Sequence, residues 1–180
     1  TYALKQVGRA GIYDVNSTES SQVYLGVESE TESTKKAVKS TRSLVLTYKG
    51  RLINAVFHSS SGGRTEASGA VWKKQLPYLV SVRDHDQHSP SYQWKVKFNP
   101  KQLKAAFSET GGLENIQVLS NSDTGRLLMV KINGPRGNLK LTGKELRSRL
   151  GLKSTLATFE TTPYKSIRSL KDKRSSSFFV

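Results

Sequence analysis

The sequence predicts a mixed α+β fold with largely antiparallel strands and a few short helices. Two apolar, β-branched runs flank Lys49-Gly50-Arg51, a pattern typical of a β-hairpin. A second pair of runs, Ile116–Leu119 and Leu127–Ile132, flanks another glycine-containing turn. Ser29 and Thr142 each stand three residues before a glutamate, which predicts two capped helices. Since short turns join both strand pairs, the strands of each pair must be antiparallel.

Two helical segments are expected before the hairpin. Residues 1–5 indicate the last turn of a helix. The helix capped at Ser29 is predicted to run to about Arg42, with inward-facing side chains at Ala37, Val38 and Thr41. The hairpin strands that follow are predicted at Leu44–Tyr48 and Leu52–Phe57.

Beyond the hairpin, short strands and helices follow one another up to residue 159. We expect a strand over Tyr92–Phe98, a helix from Asn99-Pro100 to about Phe107, a strand at Leu139–Leu141, a helix from Thr142 to Gly151, and a strand at Ser154–Phe159. Residues 1–160 are predicted to form one partial domain. Residues 161–180 are predicted to be a polar linker that leads into a truncated strand at Phe178–Val180.

The second hairpin strand delivers a small polar loop, HSSSGGRTE at residues 58–66. His58 can act as an acid, a base or a ligand, and Glu66 supplies a carboxylate. Gly62 and Gly63 let backbone N–H groups approach a ligand. A loop at a strand end is a favoured place for function. The alternative is a polar turn that closes the hairpin, with Glu66 capping the segment that follows.

Two neighbouring groups of residues are further candidates. Two histidines and two carboxylates could hold a metal, but their spacing matches no established pattern, so a solvated loop is the favoured interpretation for Asp84, Asp86, His85 and His88. Basic residues also surround two aromatic rings, a combination that could stack on bases or hold a sugar ring: Arg64, Lys73 and Lys74 with Trp72 and Tyr78. For Trp72, burial in the core is the favoured interpretation.

The composition excludes several classes of protein. The 180 residues include no cysteine, which excludes a disulfide framework, a thiol nucleophile and a Cys-ligated zinc site. No stretch approaches the roughly 18 apolar residues of a membrane span, and no signal peptide is visible. The net charge of +15 makes nucleic acid, acidic lipid or an anionic wall polymer the default partner. No recognisable DNA- or RNA-binding motif is present.

Several motifs follow one another along nearly the whole chain. They are TYAL at 1–4, SQVYLG at 21–26, Ala37-Val38 with Thr41, AVFHSSSGGRTE at 55–66, Val71-Trp72, Pro77-Tyr78-Leu79 with Val82, and LRSRLGLKS at 146–154. Their order and spacing resemble the SpoIID/LytB family, which contains stage II sporulation protein D and the amidase enhancers.

This resemblance implies work on the bacterial cell wall. The sporulation protein resembles a lytic transglycosylase that cuts peptidoglycan glycan strands, whereas the amidase enhancer stimulates a partner amidase. The implied partners are glycan strands and a cell-wall amidase or other wall hydrolase, with no nucleic acid, no cofactor and no metal. The implied location is extracytoplasmic, in the cell wall or periplasm, after export through a signal or anchor that this sequence does not contain.

Two signatures of the family are missing from the sequence. The family's catalytic glutamate lies in an Ala/Pro-Ser-Glu-Met-Pro-like motif expected upstream of Thr1, and a Gly-His-Gly-x-Gly-Met-Ser-Gln run is expected after Val180. We therefore expect the middle of a longer protein, with its catalytic acid outside this sequence. A lytic transglycosylase needs one carboxylic acid of raised pKa. Glu66 is expected to be structural or ligand-positioning instead.

The predicted site is a glycan-binding cleft, in which Arg64 meets carboxylates of the substrate. The residues predicted to line it are His58, Ser59, Ser61, Gly62, Gly63, Arg64, Thr65, Glu66, Trp72 and Tyr78. Two functions stay open. The domain either binds and cleaves glycan strands when complete, or it is a non-enzymatic amidase enhancer or wall-binding module that stimulates a partner hydrolase.

Overall fold

The computed structural model describes residues 1–6, 15–18, 21, 23–72, 74–163 and 176–179. The chain divides into two compact units, residues 1–58 and residues 59–180. The fold is mixed α+β, as predicted, and every strand pairing among the described residues is antiparallel. The longest described helix has nine residues, far fewer than the roughly 20 that cross a bilayer.

The first unit contains two helices and a small hairpin. The elements are α1 (Tyr2–Gln6), α2 (Glu32–Ser40), β1 (Thr47–Tyr48) and β2 (Arg51–Leu52). The predicted hairpin is confirmed, but each strand has only two residues. Lys49 and Gly50 both have positive φ angles, 50° and 72°, as a tight turn between antiparallel strands requires.

Two details predicted for α2 are wrong. The N-cap is Thr31, which forms a capping box with Thr34, whereas Ser29 ends a short 3-10 turn before the helix. The side chains expected to face inward are exposed; Val38, for example, is 71% exposed. The helix sequence ESTKKAVKS contains two adjacent apolar residues, which cannot form the stripe with i, i+3 and i+4 spacing that burial requires.

The second unit is built around a three-stranded sheet and two helices. The sheet order is β4 (Asn115–Asn121), β5 (Leu127–Gly134) and β6 (Gly137–Thr142), and the helices are α4 (Pro100–Ala106) and α5 (Gly143–Leu150). Asn99 and Thr142 cap the two helices through capping boxes, and Gly151 ends α5 in the left-handed conformation. These elements occur where the sequence predicts them.

Buried side chains of this sheet, of the two helices and of residues next to them in sequence form the hydrophobic core. The buried residues are Phe98, Leu103, Phe107, Leu127, Val130, Ile132, Leu141, Leu146, Leu150 and Leu152. All of them belong to the second unit. Among the described residues, the first unit contains no buried hydrophobic side chain.

A second three-stranded sheet pairs distant parts of the second unit. Its order is β3 (Lys97–Phe98), β8 (Ser176–Phe179) and β7 (Glu160–Pro163). The predicted strand ending at Phe98 is much shorter than expected, and the strand predicted at residues 154–159 is wrong, because β7 begins at Glu160. Residues 92–96 and 154–159 have no ladder partner among the described residues. The predicted final strand is confirmed up to Phe179, and Val180 lies outside the described residues.

Candidate functional site

Residues 59–66, here called the Ser-Gly loop, lie antiparallel to residues 80–86. Arg64 and Arg83 form an isolated β-bridge. The Thr65 N–H donates to the Val82 carbonyl at 2.9 Å, and the Asp84 N–H donates to the Gly63 carbonyl at 3.0 Å. The Ser-Gly loop therefore has a fixed backbone partner, although little of it is regular secondary structure.

The Asp86 carboxylate holds the tight turn of the Ser-Gly loop. Oδ2 accepts from the Ser60 hydroxyl at 2.5 Å and from the N–H groups of Ser61 and Gly62 at 2.7 and 2.9 Å. Oδ1 accepts from the Gly63 N–H at 2.8 Å. The N–H groups of Gly62 and Gly63, which were predicted to approach a ligand, thus donate to Asp86 within the protein. Successive N–H groups that converge on one anion form the arrangement known as a nest.

Asp84 has a structural role, whereas His85 and His88 face solvent. Asp84 accepts from the Ser61 hydroxyl at 2.7 Å and from the His85 N–H at 2.9 Å. His85 and His88 are exposed. Among the described residues, no three His, Asp or Glu side chains are placed to hold a metal ion together. The carboxylates of Asp84 and Asp86 instead accept hydrogen bonds from neighbouring N–H and hydroxyl groups.

The Ser-Gly loop is held to the turn between β4 and β5, residues 122–126, by two side chains with little exposure: Glu66 of the loop and Arg126 of the turn. Arg126 donates to the carbonyls of Ser61 and Arg64 at 2.6 and 3.1 Å. Glu66 Oε2 accepts from the hydroxyls of Ser122 and Thr124, each at 2.5 Å, and lies 3.9 Å from Arg126 Nη1. The side chains of Arg126 and Glu66 are only 14% and 8% exposed.

Hydrogen bonds keep the carboxylates of Glu66 and Asp86 ionised. Burial raises the pKa of Glu66, but donors from Ser122, Thr124 and the Ala67 N–H, with the charge of Arg126, outweigh burial and lower this pKa below its ordinary value of 4.5. The Ser60 hydroxyl holds the pKa of Asp86 well below its ordinary value of 3.8; partial desolvation opposes this, and three backbone N–H groups add to the lowering. A carboxylate with a lowered pKa is a poor general acid near neutral pH.

Some predicted site residues face solvent and others are used internally. Ser59, Arg64 and Trp72 are exposed, Thr65 and Tyr78 are half-buried, and Ser61 is buried. Trp72 is 48% exposed, so its predicted burial in the core is wrong. Trp72 directly follows the one-turn helix α3 (Ser68–Val71) and does not pack against the hydrophobic core. His58 is exposed and is the last residue of the first unit.

Arg64 combines exposure with a fixed orientation. Its Nε donates to the Ser81 hydroxyl at 2.9 Å, and that hydroxyl in turn donates to the Thr65 carbonyl at 2.8 Å. In the described part of the chain, the two terminal nitrogens of Arg64 have no hydrogen-bond partner. A guanidinium held through Nε with both terminal nitrogens available can bind a carboxylate in the bidentate manner.

Sequence reasoning missed three residues that build this arrangement. The sequence offers Asp86 as part of a solvated loop or as a possible metal ligand, places Ser122 in the turn before Leu127, and gives no role to Arg126. They lie 23 to 65 residues away in sequence from the groups that they hold. The available signal was compositional: a cluster of serines and glycines has many N–H and O–H donors and needs acceptors, which the acids of residues 84–86 supply.

Comparisons with known proteins relate the chain to sporulation and amidase-enhancer proteins. A family model described as "Stage II sporulation protein" matches residues 1–48. The amidase enhancer of Bacillus subtilis (strain 168) is 39% identical over 103 residues, which cover 57% of this chain and 14% of that protein.

Stage II sporulation protein D from Bacillus amyloliquefaciens and from Bacillus subtilis (strain 168) are each 33% identical over 127 residues. These residues cover 69% of this chain and 35% of each relative. The chain therefore spans about a third or less of the length of these three relatives.

Proposed function

The chain belongs to the SpoIID/LytB family, and we propose that it acts on the bacterial cell wall by binding peptidoglycan glycan strands. In this proposal it works outside the cytoplasmic membrane, with a wall amidase or other hydrolase as its protein partner. Cleavage as a lytic transglycosylase would in addition need a carboxylic acid of raised pKa. The net charge of +15 favours encounter with an anionic wall polymer.

The observation that carries the proposal is the fixed, exposed guanidinium of Arg64. Glycan strands carry carboxylates on their lactyl groups and peptide stems, and Arg64 presents two available nitrogens to such a group. The backbone beneath it is immobilised by Asp86 and Arg126. Little ordering entropy is then lost on binding, because the loop is already in place.

The remaining predicted residues take two kinds of role in this proposal. Exposed Ser59 and Trp72, with half-buried Thr65 and Tyr78, contact the sugar, the aromatic rings by stacking on its apolar face. His58, which precedes Ser59 in sequence, is also predicted to contact the sugar. The turn glycines Gly62 and Gly63, buried Ser61 and buried Glu66 position the backbone. Glu66 is a positioning residue because its carboxylate is ionised and buried.

Cosedimentation with insoluble peptidoglycan tests the proposal. We expect Arg64→Ala to weaken binding about tenfold, equivalent to about 1.4 kcal/mol for one charged contact. Arg51→Ala is the matched control, because Arg51 is an exposed arginine of the first unit and its removal changes the net charge equally. Equal binding by Arg64→Ala and Arg51→Ala would overturn the role of Arg64.

Stimulation of a partner amidase is the second candidate function, favoured by the similarity to a protein named amidase enhancer. Analysis of reaction products separates the two. If the complete protein cleaves glycan strands, digests contain anhydro-muramyl ends. If it only stimulates a partner, such ends are absent, and peptide release rises when the partner hydrolase is added.

A further inference from the structure

Arg83 stands directly opposite Arg64 where the Ser-Gly loop pairs with residues 80–86. Two backbone hydrogen bonds, one on either side, join the residues next to this pair in sequence. Arg64 and Arg83 are therefore a non-hydrogen-bonded pair, the kind in which opposite Cα atoms approach to about 4.5 Å and the side chains lie closer together. The backbone thus brings a second arginine, which the predicted site does not include, next to Arg64.

The side chains of the two arginines project from the same face of this pairing. Residues that stand directly opposite each other in an antiparallel pair share a face. Ser81 gives independent evidence, because it lies two residues before Arg83 and so on the same side of its segment. Its hydroxyl accepts from Nε of Arg64 at 2.9 Å. Both arginines are exposed, so two guanidinium groups lie side by side at the surface.

No carboxylate in the described part of the chain forms an ion pair with either arginine. The acids nearest in sequence are engaged elsewhere. Glu66 lies 3.9 Å from Arg126, whereas Asp84 and Asp86 accept hydrogen bonds from the Ser-Gly loop. Like charges that stand directly opposite each other destabilise a strand pair. An anion that contacts both guanidinium groups removes this repulsion, which favours its binding.

We propose that Arg83 is a second anion-binding residue of the candidate site, and that Arg64 and Arg83 together hold one carboxylate. This inference rests on the proposed function, in which the carboxylate belongs to the wall polymer. A carboxylate has about four lone-pair positions, so bidentate contact with Arg64 leaves two of them for Arg83. Arg64, held through Nε, sets the position of the anion, and Arg83, whose guanidinium has no partner among the described residues, adjusts to it. The pair thus selects sugars that carry a carboxylate over neutral sugars.

An NMR titration of the chain with N-acetylmuramic acid, a sugar that carries one carboxylate, tests the proposal. N-acetylglucosamine is the matched control, because it lacks the carboxylate. The Nε–H signals of the two arginines are identified by their loss in Arg64→Ala and Arg83→Ala. We expect N-acetylmuramic acid to shift both signals with the same dissociation constant, and N-acetylglucosamine to shift neither. Each substitution should weaken binding of N-acetylmuramic acid about tenfold, whereas Arg51→Ala, which removes an exposed arginine of the first unit, should leave it unchanged.

Two results would overturn the proposal. The first is unchanged binding of N-acetylmuramic acid by Arg83→Ala, because a ligand with a single carboxylate would then be held without Arg83. The second is the absence of a saturable shift of the two Nε–H signals, or an equal shift with N-acetylglucosamine. Failure of the proposed function gives a different result. A chain that binds N-acetylmuramic acid through both arginines but does not cosediment with peptidoglycan would contradict the proposed function alone.

Discussion

At the scale of single residues, two carboxylates decide the shape of the Ser-Gly loop. Asp86 accepts four hydrogen bonds from residues 60–63, and Glu66 accepts from Ser122, Thr124 and the Ala67 N–H. The sequence identified residues 58–66 as a candidate, since serine, glycine and histidine stand together there. The acceptors could not be assigned from sequence, because their pairing depends on how residues 84–86 and 122–126 fold back.

Acid is expected to destabilise the protein through these groups. The folded-state pKa values of Asp86 and Glu66 are lowered, so the stability that they contribute is present above their unfolded-state pKa values and is lost as pH falls through the folded ones. The Tm should therefore decline below about pH 4. Asp86→Asn should lower the Tm at pH 7 and flatten this decline. An Asp86→Asn Tm curve parallel to that of the wild type between pH 7 and pH 3 would contradict the assignment.

Glu66→Gln is expected to destabilise the protein by about 1–3 kcal/mol, because Arg126 loses its charged neighbour and two hydroxyl donors lose a charged acceptor. Chemical denaturation measures the loss. Glu109→Gln serves as a control, since that carboxylate is half exposed and pairs with Arg149 at the surface. Equal losses for both variants would contradict a special role for Glu66. Unchanged stability and unchanged glycan binding for Glu66→Ala would exclude its positioning role.

At the scale of elements, capping and turn motifs predicted the structure correctly where the sequence offers one such motif. Thr142 and Glu145 cap α5 as predicted, and Lys49-Gly50 forms the hairpin turn. Near α2 two caps compete in sequence, and Thr31 with Thr34 is used instead of Ser29 with Glu32. The β3–β8–β7 sheet joins residues about 80 positions apart. Residues 92–98 alternate between apolar and polar side chains, as in a strand, but such a pattern does not show at which residue pairing with a distant strand begins.

Gly62 links the Ser-Gly loop to the segment after α5. Its φ angle is +76°, and a Cβ there would lie 2.9 Å from Leu156 Cδ2. Gly62→Ala should therefore cost about 1–2 kcal/mol for the left-handed backbone, plus the energy of moving Leu156. Gly50→Ala is the control, because the φ of Gly50, +72°, is within 4° of that of Gly62 but a Cβ there would meet nothing within 4 Å. Thermal unfolding measures the two losses of stability. Equal losses for Gly62→Ala and Gly50→Ala would mean that the Leu156 side chain moves aside at no cost.

At the scale of the whole molecule, the buried apolar residues belong to one unit. Every hydrophobic residue buried in the described chain lies in residues 59–180. A protein that starts at Ser59 should therefore retain a cooperative thermal transition with a Tm near that of the intact chain, because burial of apolar surface supplies most of the stability. Circular dichroism measures this. A broad, non-cooperative transition would show that residues 1–58 are required for folding.

In the proposed function, Arg64 on its preorganised loop binds carboxylates of the wall polymer. The most direct test combines Arg64→Ala with peptidoglycan whose carboxylates have been converted to amides, in a double-mutant cycle. We predict that Arg64→Ala weakens binding to native peptidoglycan about tenfold and leaves binding to the amidated polymer unchanged. An equal loss on both polymers would contradict the claim, because Arg64 would then act without regard to carboxylate charge.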